Sequence, residues 1–69
     1  MAYIDPLMSL GSLIEEHPEY REVFLRHGFD PVRERGSMLF DACALRMIEL
    51  EGVLDEMEDS LNEPHVATA

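Results

Sequence analysis

Seven apolar side chains in the second half of the chain fall at alternating spacings of three and four residues: Phe40, Cys43, Met47, Leu50, Leu54, Met57 and Leu61. This is the a/d rhythm of a helix with one face to hide. It predicts one long amphipathic helix from Ser37 to Asn62, with Ser37 as N-cap and Asp41 in its early turns. The seam runs through Gly52. A glycine inside a helix costs about 1 kcal/mol against alanine, which seven aligned apolar positions can offset. A break at Gly52 into two shorter helices is the alternative.

Upstream, residues 1–8 read as an extended lead-in limited by Pro6. Ser9 then stands where a helix N-cap belongs, followed by Leu10, Leu13 and Ile14 at helical spacing. Pro18 ends that helix by disfavouring helical geometry at His17, and it suits the first turn of the next. Tyr20, Val23, Phe24 and His27 make the second helix's apolar face, and Gly28 is its natural stop. Phe29-Asp30-Pro31 reads as a turn, and Val32–Gly36 as a polar connection carrying Arg33 and Arg35. Residues 9–62 therefore form a single all-α domain, a small bundle of three to five helices whose last helix is long and amphipathic. Residues 63–69 are expected to be a flexible tail. No internal repeat is legible.

A chain of 69 residues is one domain with a small core. Chains of this size usually need a disulfide, a metal or a partner to add to that core. Cys43 is the single cysteine, so no internal disulfide can form, and Cys43, His17, His27 and His65 share no zinc-site spacing. Docking or self-association is left as the source of extra stability. Hydrophobic content of 46% fits a folded domain, while the net charge of −10 opposes phosphate backbones and anionic lipid. Nucleic acid and membrane are thus poor partners and a basic protein surface a better one. No signal peptide or membrane span is readable, and the lone thiol suits the cytoplasm.

Ser9-Leu10-Gly11-Ser12-Leu13-Ile14-Glu15-Glu16-His17-Pro18-Glu19 resembles the opening of a bacterial and archaeal helical family of unknown function. That family is related to the hybrid-cluster-protein-associated disulfide domains and to the N-terminal domain of ScdA-type iron–sulfur repair proteins. Val23-Phe24-Leu25-Arg26-His27-Gly28-Phe29-Asp30 continues the resemblance, and Gly52 to Asn62 is similar to the family's closing helix. The redox members carry a cysteine pair directly after the Gly-apolar-Asp turn. Here Pro31 and Val32 occupy those positions, so the disulfide exchange implied for relatives has no sulfur to use. The family's aspartate after Gly-Val, a cap for its final helix, is also missing, which places the second half in one continuous heptad phase.

Candidate chemistry is sparse. His17 and His27 could serve as haem or metal ligands, but each stands at a helix end where it can cap carbonyls, and no second ligand lies one turn away. Cys43 lies on the apolar seam near Asp41, a poor setting for a reactive thiolate. Met38, Met47 and Met57 suit adaptable packing better than metal ligation. Glu49, Glu51, Asp55, Glu56, Glu58, Asp59 and Glu63 lack a calcium-loop pattern and read as a solvated face. Arg26, Arg33 and Arg35 could hold an anion but have abundant acids of their own chain to pair with.

The sequence is therefore read as a non-catalytic interaction module without a cofactor. Phe40, Met47, Leu50, Leu54, Met57 and Leu61 supply an apolar stripe, with Cys43 as its small member. The stripe docks on a second copy, giving a homodimer, or on a protein with a basic surface. The alternatives are a small accessory subunit of a metalloenzyme or iron–sulfur repair system and, further off, a haem- or metal-binding domain.

Overall fold

Ser9 caps the first helix as its position predicts, its hydroxyl accepting the N–H of Ser12 at 3.2 Å. In the computed structural model, which describes residues 4–62, α1 spans Leu10–Glu16, α2 Tyr20–Arg26, α3 Leu39–Leu45 and α4 Leu50–Asn62. The bundle is all-α, and among the described residues no helix is long and apolar enough to cross a membrane. The tail expected at 63–69 lies outside the described residues, as do Glu63 and His65.

Punctuation in the first half works as the side chains dictate. His17 is extended (φ −143°) and closes α1, its N–H bonding the Leu13 carbonyl. Gly28 takes φ +85°, a conformation only glycine enters freely, so the Phe29 N–H can return to the Phe24 carbonyl at 2.9 Å. Asp30 then accepts the N–H groups of Val32 and Arg33, while Glu34 reaches back to the Asp30 N–H at 2.9 Å. These bonds fold the polar connection into a tight turn.

The second half departs from the single long helix. Arg46–Glu49 separates α3 from α4, whereas Gly52 lies inside α4. Helix α3 ends like α2: the Ile48 N–H returns to the Cys43 carbonyl at 2.9 Å and Met47 takes φ +56°. Met47 thus fills the left-handed cap position that Gly28 fills after α2. Helix α3 also starts one residue late, with Met38 at its cap position. Ser37 is occupied otherwise, its carbonyl accepting the Leu10 N–H at 2.9 Å.

That bond belongs to a reciprocal set. Leu10 N–H donates to Ser37 and Leu39 N–H to Met8; Gly11 N–H donates to Arg35 and Phe40 N–H to Pro6. Each residue of the first half pairs at the same offset as its counterpart in the second, and an antiparallel bridge joins Ser9 to Met38 at the centre. The bundle is therefore two helix pairs, α1 with α2 and α3 with α4, joined where their lead-ins cross. The second helix of each pair, α2 and α4, make the most extensive helix–helix contact.

The core fills the space between the pairs. Leu10, Leu13, Tyr20, Val23 and Phe24 come from the first pair and Leu39, Cys43, Val53 and Met57 from the second, all essentially inaccessible. Tyr20, Phe24 and Phe29 run through it as a chain of tilted rings, with centroids 6.4 and 5.7 Å apart. Close ring packing of this kind adds about 1 kcal/mol per pair beyond area burial.

Candidate protein-interaction surface

Helix α3 faces two ways. Leu39, Ala42 and Cys43 point into the core, which leaves Phe40, Asp41, Ala44 and Leu45 outside. Phe40 is 50% exposed, Leu45 77% and Met47, just past the helix end, 93%. The Phe40 N–H bonds the Pro6 carbonyl at 2.8 Å, and the neighbouring Leu7 and Met38 are exposed as well. At roughly 200 Å² for a large apolar side chain, Phe40, Leu45 and Met47 together expose about 400 Å². Exposed apolar area of that size on one short helix and its end is at the level where monomers carry binding sites.

Met47 is the least expected member. A non-glycine residue in the left-handed region costs about 1–2 kcal/mol. An almost fully exposed methionine recovers none of that through burial within its own chain. Backbone strain retained at an exposed apolar residue points toward a role outside the monomer.

The stripe expected from spacing is divided between surface and interior. Phe40 and Met47 lie on the patch. Leu50, Leu54 and Leu61 are half-buried against the core, and Met57 and Cys43 are wholly inside it. One continuous face from Phe40 to Leu61 does not exist, because the turn at Arg46–Glu49 separates the outer side of α3 from the inner side of α4. Leu45, Leu7 and Met38 were not legible as surface members. A clue was present: Leu39, Ala42 and Cys43 offer a second apolar phase for α3, and extending it one turn meets Arg46, a charge no buried seam could carry.

Beside the patch lies an open cleft of about 400 Å³ lined by Glu34, Ser37, Asp41, Ala42, Ala44 and Leu45. Its two carboxylates differ. Glu34 takes two hydrogen bonds from the Arg46 guanidinium, at 2.8 and 2.9 Å, in a partly shielded pair. The N–H of Asp30 above all, and then Arg46, hold its carboxyl below the ordinary range. Asp41 is exposed and has no ion-pair partner among the described residues. Arg46 is spent: it also reaches the Ala42 carbonyl and lies 4.9 Å from the centre of the Phe29 ring. No local spacing foretold this arginine, whose acid partner lies on the far side of α3.

The remaining candidates have structural partners. His27 Nε2 stands 3.0 Å from Glu56, which also accepts a hydrogen bond from Arg26 at 3.2 Å, so that α2 is tied to α4. These contacts, Arg26 first, draw the Glu56 carboxyl down. His17 packs edge-on against Tyr20 at 5.2 Å. Arg33 reaches toward Asp30 at 3.9 Å, and Arg35 lies against Gly11. Burial pushes the Cys43 thiol up, away from a reactive thiolate, against a smaller opposing pull from Arg46. No group of three or more histidine, cysteine, aspartate or glutamate side chains suited to a metal ion occurs among the described residues. No protein-family model matches the chain, and no curated protein or solved structure matches it.

Proposed function

We propose that this chain is a non-catalytic interaction module that docks on another protein, or on a second copy of itself, through the outer side of α3. The observation that carries the reading is the exposure of Phe40, Leu45 and Met47, the last a strained residue that is 93% exposed. Covering about 400 Å² of apolar surface yields about 10 kcal/mol before the costs of association are subtracted. The buried thiol and the internally paired His27 support a non-catalytic role, because neither is placed to act on a bound molecule.

A photoreactive side chain placed at position 45, with a control at position 55 on the exposed acidic side of α4, tests the proposal in the native cell. Crosslinks concentrated at position 45, whether to the chain itself or to another protein, are the expected result. Equal crosslinking from both positions, or none from position 45, refutes a docking role for α3.

A further inference from the structure

The α3 patch has a chemical rim as well as an apolar centre. Asp5 stands at its lead-in end, where the carboxylate accepts the Leu7 N–H at 3.0 Å. Asp41 lies between Phe40 and Leu45, and Glu49 follows Met47, both exposed. The neighbouring arginine, Arg46, is committed to Glu34 and to the Phe29 ring. Arg33 and Arg35 flank Glu34 in sequence; Arg33 reaches toward Asp30, Arg35 has its Cβ and carbonyl against Gly11, and neither lines the cleft. The rim thus carries three carboxylates, and among the described residues no basic side chain lines the cleft.

This arrangement discriminates between occupants. A second copy in a two-fold dimer brings the same patch face to face. The acidic rims carrying Asp5, Asp41 and Glu49 would then be brought together, in a chain already at −10. Like charges brought together at an interface exclude partners. A segment with apolar side chains along one side and lysine or arginine along the other meets no such opposition. Its apolar side covers Phe40, Leu45 and Met47. A single long cationic side chain can then lie along Ala44 and Leu45 in the cleft, with its charge at Asp41. Long basic side chains bury their stems on apolar surface in this way. Glu34, already neutralised by Arg46, leaves Asp41 as the unpaired charge in the cleft.

Resting on the α3 reading above, we infer that the partner is a basic amphipathic segment of another protein, whose cationic side chain enters the Glu34–Asp41 cleft. The test titrates the isotope-labelled chain with a short helical peptide bearing leucine on one side and lysine on the other, followed by amide resonances. A second peptide carries glutamate in place of lysine. The lysine peptide is expected to shift the amides of Asp41, Ala44, Leu45 and Met47, and the glutamate peptide to leave them in place. Asp41→Asn should weaken the lysine peptide by about fivefold, and Asp55→Asn on α4 should change it by less than about twofold. Equal losses from Asp41→Asn and Asp55→Asn, or shifts centred on α4, mean diffuse charge attraction and overturn the inference. A homodimer joined through Leu45 in sedimentation and crosslinking also overturns it, while leaving the α3 docking surface intact. Failure of the crosslinking test at position 45 removes that surface itself, so the two failures are distinct.

Discussion

Replacing Met47 by glycine separates two pictures of the second half by the sign of one measurement. Met47 sits at φ +56° after the last turn of α3, where a side chain costs about 1–2 kcal/mol and glycine costs little. Its side chain is 93% exposed, so truncation removes almost no buried area. The greater freedom of glycine in the unfolded chain takes back about 0.5–1 kcal/mol. The balance is a gain of about 0.5–1 kcal/mol. For a domain of this size that raises the melting temperature by about 3–6 °C. If the seam were instead one uninterrupted helix, position 47 would be interior and Met47→Gly would cost about 1 kcal/mol. Thermal and urea unfolding followed by circular dichroism read the sign directly. A fall in both midpoints refutes the break at Arg46–Glu49. The same variant should also weaken docking, because the patch loses its most exposed member.

Two other glycines should respond differently to alanine. A methyl group at Gly52 meets open space on α4, so Gly52→Ala gains about 1 kcal/mol in urea unfolding. At Gly11 the same group would stand 3.0 Å from the Arg35 carbonyl oxygen, so Gly11→Ala should show none of that gain, and an equal gain would mean the two halves are not joined there. Glu34 and Glu56 have carboxyls held below the ordinary value of 4.5, so their contribution is complete above it and disappears as pH falls through the folded-state value. Protonating the other acids meanwhile relieves repulsion. The Glu34→Gln, Glu56→Gln double variant should therefore lose less stability than the parent between about pH 5 and 3; identical acid limbs would show that these pairs do not couple to folding.

Local signals carried most of the first half. Ser9, Pro18 and Gly28 act through their own backbone and side-chain chemistry, so their effects are visible without knowing what packs where. The inward residues of α1 and α2 followed from helical spacing for the same reason. The Arg46–Glu34 pair, the cleft beside it and the hydrogen-bonded crossing of the two lead-ins depend on contacts between segments distant in the chain. The crossing uses only main-chain groups of Met8, Leu10, Ser37 and Leu39. Side-chain identity leaves almost no trace of it.

The seam misled for a related reason. Apolar residues at three- and four-residue spacing arise equally from one long helix and from two short helices that each bury a side. Periodicity reports the pitch of a helix and not whether its axis continues. Within α3 the choice lay between the phase of Phe40 and that of Leu39, and Arg46 decides it. A partly shielded guanidinium needs a partner, and Glu34 supplies it from the turn before α3. Pairing Arg46 with Glu34 fixes Leu39, Ala42 and Cys43 inward, which forces Phe40, Leu45 and Met47 outward. The exposed patch is thus a consequence of how the core is closed. Its persistence in so acidic a chain, with a strained methionine at its edge, is what a covering partner would explain.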